Sequence, residues 1–529
     1  MAISRRDILK SIALVGGAGM SASMANLGLS SNAFANVSAK RRLNARAIVA
    51  GELDFNRPLV MPQFINVFLY GGPSELAGNM TNMQELNDII KGKGQQSYDV
   101  VQNGRLIPST NESYVTKNYF WGGPTNGGQG AGGTRFEDML ARQDMSLYRT
   151  INRIKDNSRA HRPSIFSNMT GIIGEDESNP GIGTTVAAIL NARAKGADGI
   201  RLVNGTEISI DEALFPFVTL DADSFLFNVG DSAIPPGLKP ITLNSSLDMD
   251  TGTRGIPERR ARVREFAAEF AQNRRFNKYV KVEEAFGKLQ ELDEKLAGIR
   301  AQLNQGAILD PDAIQVEGED PIQINYGNSA IGRQLKGAVE LALANPSTFV
   351  IALGRSGLGG WDDHNDAVAD GAYPERMREL TQAFEAAGKH IRAIRAQQGL
   401  DNNIFINCIG DFGRNIDLNG SRGWDHGNNM NLYTVGGNDI PGRAMGKLVG
   451  KTDLLIQSNG TRIYTKPTDD SYQVEPFSIA STVYKYFGVN NPQIINNEPP
   501  IDESGAVPNE LCDVNDQNCG NTPPVVNNA

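Results

Sequence analysis

Four near-continuous apolar runs punctuate the chain, and each stops at glycine. Pro62 to Tyr70 reads Pro-Gln-Phe-Ile-Asn-Val-Phe-Leu-Tyr before Gly71-Gly72, the pattern of a strand buried on both faces in a parallel sheet. Ser347 to Leu353 ends at Gly354 and Asn403 to Ile409 at Gly410 in the same way, and Met430 to Val435 ends at Gly436-Gly437. Between them the spacing predicts helices over 181–195, 329–344 and 374–398. In the last of these Met377, Leu380, Phe384, Ala387 and Ile391 line one face. Strands alternating with helices imply an α/β fold with a mostly parallel sheet covered on both sides, and ligands of such sheets bind beyond the carboxyl ends of the strands.

Other stretches lack this alternation. Residues 257–304 are dense in Ala, Glu, Lys, Arg and Leu and read as a long helical insertion, with acids and bases interspersed as on a solvated structural arm. Residues 101–135, rich in Asn, Gly, Ser and Thr, read as a long loop. From about Asp502 to Ala529 the composition is that of a polar, partly disordered tail.

The amino terminus changes the picture of where the chain works. Ser4-Arg5-Arg6-Asp7-Ile8-Leu9-Lys10, a Gly- and Ala-rich apolar stretch and Ala33-Phe34-Ala35 resemble a twin-arginine export signal cleaved near Ala35. The domain expected after cleavage is 36–501, periplasmic or secreted, with the twin-arginine export machinery as a partner. No other segment has the roughly 18 uninterrupted apolar residues that span a bilayer, so no permanent membrane span is expected. Removing Arg5, Arg6, Lys10 and Asp7 moves the formal charge from -9 to -11, which argues against general nucleic-acid binding. Hydrophobic residues make up 40%, enough for a large core. Cys512 and Cys519 sit in the polar tail, where an oxidising compartment allows a small disulfide loop, and Cys408 reads as a buried thiol.

Candidate chemistry clusters after the runs. Gly360-Trp361-Asp362-Asp363-His364 and Gly423-Trp424-Asp425-His426-Gly427 hold two of the four histidines and two of the three tryptophans. Each box joins an apolar anchor to a carboxylate and an imidazole, the ligand types that zinc, manganese or iron take when no thiolate is available. Asp362 and His364, two apart in an extended turn, face the same way. Asp411 follows the third run directly and is a further ligand or a bridge; His426 leads into the fourth run. Arg414 and Asp425 read either as an ion pair fixing the loop or as an anion holder and an imidazole-orienting group. His161 lies between Arg159 and Arg162, which could lower its pKa or bind an anion, whereas His390 falls inside a helix and is assigned to structure.

These motifs resemble the domain-of-unknown-function 1501 family, exported bacterial proteins grouped with the alkaline phosphatase and sulfatase superfamily. The residues that carry the likeness are Phe64 to Gly72, Ser158-Arg159-Ala160-His161, the Trp361 box, Asp411-Phe412-Gly413-Arg414 and Asp425-His426-Gly427. The resemblance implies an alkaline-phosphatase-like three-layer sandwich with metals at the strand ends. Asp362, His364 and His426 would hold one divalent metal, zinc with manganese or iron as alternatives. Asp411 would serve a second together with an acidic residue after the first run, where the family has Asp and this chain has Ser74, leaving Glu75 as a substitute or the second site absent. Counting back nine residues from Thr170-Gly171, as in sulfatases, places His161 at the nucleophile position, as nucleophile, acid or base, or as the mark of a site that no longer turns over. Pro163 and Ser164 match, but Ile165 replaces the sulfatase arginine. The expected function is a metal-dependent hydrolase acting on a phosphate or sulfate ester of an anionic small-molecule or envelope substrate, with Arg414 steadying the anion. The alternative is a noncatalytic envelope binding or assembly protein on the same fold.

Overall fold

The computed structural model describes residues 53–501 and 511–513, with its longest breaks at 74–134 and 244–323 and shorter ones at 56–59, 137–138, 141, 157, 195–198, 221–223, 231–237, 354–357, 359, 366–371, 422, 444, 451, 457–462, 468–471 and 502–510. The export signal, Ser74 and Glu75, nearly all of the 101–135 loop, the 257–304 helix and Cys519 therefore lie outside the described residues.

The strands are β1 (Gln63–Leu69), β2 (Met145–Asn152), β3 (Ile200–Arg201), β4 (Glu207–Ile208), β5 (Phe217–Leu220), β6 (Ile241–Leu243), β7 (Val350–Leu353) and β8 (Ile404–Gly410). They continue as β9 (Gly413–Leu418), β10 (Trp424–Gly427), β11 (Asn429–Gly436), β12 (Lys447–Val449), β13 (Thr452–Ile456), β14 (Ile463–Pro467) and β15 (Leu511–Asp513). The helices are α1 (His161–Thr170), α2 (Ile182–Ala194), α3 (Ala330–Ala344), α4 (Ala372–Gln398), α5 (Phe477–Tyr486) and α6 (Gln493–Asn496). Nine strands form one sheet in the order β15-β12-β2-β11-β8-β1-β7-β5-β6. Central β1 pairs in parallel with β7 and β8, and all but β11 and β15 share its direction.

Three of the four apolar runs are parallel strands as expected; the fourth is not. β11 runs antiparallel to β8, with Tyr433 opposite Cys408 and Thr434 opposite Asn407. Between β8 and β11 the chain makes the β9-β10 hairpin and no crossover helix, and a parallel return needs a crossover of a dozen or more residues. The reversal carries Gly436-Gly437 to the far edge of the sheet and puts the start of β11, just after His426, at the carboxyl edge of β8.

Alternation along β1 sorts the core into two layers. Ile65, Val67 and Leu69 face Leu335 and Val339 of α3 and the predicted α4 stripe of Met377, Leu380, Phe384, Ala387 and Ile391. Phe64 and Phe68 face Val186 and Leu190 of α2 and Ile479 and Val483 of α5. The molecule is thus α/β, a mostly parallel sheet between two helical layers. Each buried Leu, Ile or Phe contributes about 1.5–3 kcal/mol, so these faces fix the strand ends. Among the described residues no helix is long and apolar enough to cross a membrane. Cys408 is a buried free thiol.

His390 is a structural residue of α4: it is fully buried, its Nδ1 lies 3.0 Å from the Tyr326 hydroxyl, and burial together with Lys336 pushes its pKa down to about 4. The unfolded chain takes up this proton at higher pH than the folded one, so the associated stability is complete above about pH 6.5 and is lost as pH falls towards 4. The expected contribution is about 3 kcal/mol, and urea unfolding at about pH 7.5 and about pH 4.5 should show a smaller acid loss in His390→Gln than in wild type.

Candidate metal centre

The loops after β1, β7 and β8 meet at the carboxyl edge of the sheet, and close backbone approach dictates their glycines. Gly71 has φ +112°, and a Cβ there would lie 2.3 Å from the Asp362 backbone nitrogen. Trp361 N–H donates to Tyr70 O at 3.0 Å and Gly71 N–H to Asp411 Oδ2 at 3.2 Å, so the first loop touches both others.

The two Gly-Trp-Asp boxes are one packed unit. Trp361 and Trp424 are buried and both pack edge-on with Tyr373, with ring centroids 6.0 and 5.1 Å away. The second box crosses the first where Trp424 N–H donates to Asp363 O at 2.7 Å. At Gly423 a Cβ would sit 2.1 Å from the His364 carbonyl carbon, which excludes any larger residue at the crossing. Asn419 of the intervening turn donates to His364 O at 3.0 Å and to Asp425 Oδ1 at 3.2 Å.

This framework brings His161, Asp362, His364 and His426 together, one ligand atom from each lying within 4.8 Å of all the others. Asp362 Oδ1 is 3.4 Å from His161 Nε2, 3.1 Å from His364 Nε2 and 3.6 Å from His426 Nε2. Four ligands at zinc bond lengths of about 2.0–2.1 Å in a tetrahedron stand roughly 3.3 Å apart, so the carboxylate's three edges suit a first-row divalent ion. The His364 and His426 Nε2 atoms are closer, 2.8 Å.

The far nitrogens of these rings are held in turn. His426 Nδ1–H donates to Arg159 O at 2.6 Å, and His161 Nδ1–H to Asp411 Oδ2 at 2.8 Å. For His364 the facing acceptor is Asp425 Oδ1, 3.5 Å from Nδ1. A neutral imidazole with its proton on Nδ1 leaves Nε2 as a bare lone pair, the arrangement that metal-binding histidines use. Burial and the positive charge of Arg414 lower the His426 pKa to about 4, keeping that ring neutral. His161 moves the opposite way: its hydrogen bond to Asp411 raises its pKa despite burial. At Asp362 burial acts upward, but Arg414 and the histidines outweigh it and the pKa falls.

The placement redistributes the expected roles. Asp411 is buried, its pKa raised by burial against the pull of His161, and its Oδ2 grips His161 rather than joining the four donors. His161, expected as nucleophile or acid/base, contributes Nε2 to the cluster. Arg414, expected to steady an anion, is buried and turned inward. Its Nε donates to Gly72 O at 2.9 Å, its Nη1 to Trp424 O at 2.9 Å, and its Nη2 to Gly71 O, to Trp361 O at 3.2 Å and to Asp362 Oδ1 at 2.6 Å. Sequence reasoning missed the support below. Buried Arg153 and Asn168 both bond the Asp411 carbonyl, at 3.3 and 2.9 Å, and Arg153 also pairs with Asp156. Asn168 follows His161 by two helical turns, and that i, i+7 spacing was the available signal.

Arg414→Lys is expected to lower the unfolding free energy by about 3 kcal/mol, because one ammonium cannot satisfy the carbonyls that the planar fork reaches. Urea denaturation checks this, and an unchanged midpoint would remove Arg414 from the framework.

No curated protein matches this chain. The model of the family described as "Protein of unknown function (DUF1501)" matches residues 62–494, a span that includes all four cluster donors, and the chain belongs to that family.

Proposed function

We propose that the protein is an exported, metal-dependent hydrolase of phosphate or sulfate esters, built on an alkaline-phosphatase-like scaffold. The observation that carries this reading is the convergence of three Nε2 atoms on one carboxylate oxygen, with the Nδ1 side of each ring facing an oxygen acceptor. The donor set of three imidazoles and one carboxylate fits zinc, with manganese or iron as alternatives, and suits magnesium or calcium poorly. Held there, a divalent ion supplies Lewis acidity toward an ester oxygen and lowers the pKa of water. The chain's own residues do the rest: Asp411 and Arg159 O orient His161 and His426, and Arg414 holds Asp362 on the loop where the histidines meet it. The twin-arginine-like leader supports work outside the cytoplasm, where the substrate would be an anionic small molecule or envelope component.

A noncatalytic envelope binding or assembly protein is the second reading, and His161 favours it. At the position where sulfatases carry their nucleophile, this ring is tied to Asp411 and turned into the donor cluster.

Metal-stripped protein is expected to bind one zinc ion per chain in a calorimetric titration, and His364→Ala or His426→Ala to weaken binding by about 100-fold or more. The loaded protein is then assayed on aryl phosphate and aryl sulfate esters. A correctly folded chain that binds no divalent ion sinks the proposal, and tight binding without turnover of either ester transfers support to the second reading.

A further inference from the structure

The reading above calls for a cation that meets the substrate's anionic group, and the arginines around the cluster differ in what they have left to give. Arg414 is spent on backbone carbonyls and Asp362. Arg153 is buried on Asp156, Asn168 and Asp411 O. Arg162, exposed on the other side of His161, is paired with both Glu175 and Glu177. Arg159 is exposed, and among the described residues its guanidinium makes a single long hydrogen bond, Nη1 to His426 O at 3.4 Å, and no ion pair.

Its position is fixed by more than that contact. The Arg159 carbonyl is the acceptor for His426 Nδ1–H at 2.6 Å, so the residue's main chain and side chain both bear on one cluster histidine. The loop that carries it is tied down on either side: Ser158 N–H donates to Asp156 Oδ1 at 3.0 Å, and Ser164 Oγ donates to Ser158 O at 3.2 Å. A planar guanidinium has five N–H donors in a fork that matches two oxygens of a tetrahedral oxyanion. Here most of them remain for a ligand, beside the four converging donors.

We infer that Arg159 is a specificity-determining residue that receives the tetrahedral oxyanion of the substrate, a phosphate or sulfate group, at the mouth of the cluster. The inference rests on the hydrolase reading for the identity of the cluster and reassigns to Arg159 the role that the sequence suggested for Arg414. Substitution of the side chain leaves the carbonyl bond to His426 in place, which separates anion binding from ligand orientation.

The test titrates the full chain with inorganic phosphate and, separately, with inorganic sulfate, in zinc-loaded and metal-free forms. Wild type is compared with Arg159→Gln, Arg159→Lys and Arg162→Gln. Wild type is expected to bind at least one of the two oxyanions, and which one identifies the ester class. Arg159→Gln should weaken that binding on the order of 10- to 100-fold, with partial recovery in Arg159→Lys. Arg162→Gln should stay within about twofold of wild type, and zinc affinity should stay within about threefold throughout. Unchanged oxyanion affinity in Arg159→Gln, an equal loss in Arg162→Gln, or no oxyanion binding by wild type in either form would overturn the inference. Failure of wild type to bind zinc would overturn the hydrolase reading alone, because the metal-free titrations still report on Arg159.

Discussion

The guanidinium of Arg414 occupies the point where the loops after β1 and β7 meet the β9-β10 hairpin, and the geometry of the whole site hangs on it. It reaches the carbonyls of Gly71, Gly72, Trp361 and Trp424 and the carboxylate of Asp362. Carbonyls from three separate segments turned toward one buried point are costly unless a multivalent donor satisfies them. Arginine is the one side chain with enough fixed N–H directions to do so. The same contact sets Asp362 Oδ1 among the histidines. Packing around Tyr373 holds the tryptophan boxes at the right depth, and the absence of a side chain at Gly71 and Gly423 lets the backbones close.

Topology supplies the second constraint. Had β11 been parallel to β8, residue 426 would stand at the opposite edge of the sheet, a strand length from Asp362. The hairpin of β9 and β10 instead lets the chain turn back at once, with His426 opposite Arg414 in the hairpin register. One antiparallel strand in a mostly parallel sheet thus brings the second box to the first.

Much of this was legible in the amino-acid order because it is local. The apolar runs, the α4 stripe and the paired boxes depend on periodicity and on neighbours a few residues away. The division of labour between His161 and Asp411 was not legible, since it depends on how the start of α1 meets the end of β8, 250 residues apart in sequence. Arg159 O was invisible for another reason: a backbone carbonyl has no residue type. The direction of β11 escaped because an apolar run ending in glycine looks the same whichever way the strand is laid.

Charge gives the arrangement a further logic on the proposed reading. Asp362 shares its negative charge with Arg414 at 2.6 Å, so the donor cluster offers a divalent cation three imidazole nitrogens and one carboxylate that is already partly compensated. Asp411 sits behind His161, where its charge strengthens the ring's hold through Nδ1 without occupying a ligand position. A cation bound there would remain undercompensated by its protein donors, and exposed Arg159 adds positive charge on the open side. On the proposed reading the site is completed by an arriving anion, and a site that draws on its substrate's charge selects an anionic phosphate or sulfate group over a neutral ester.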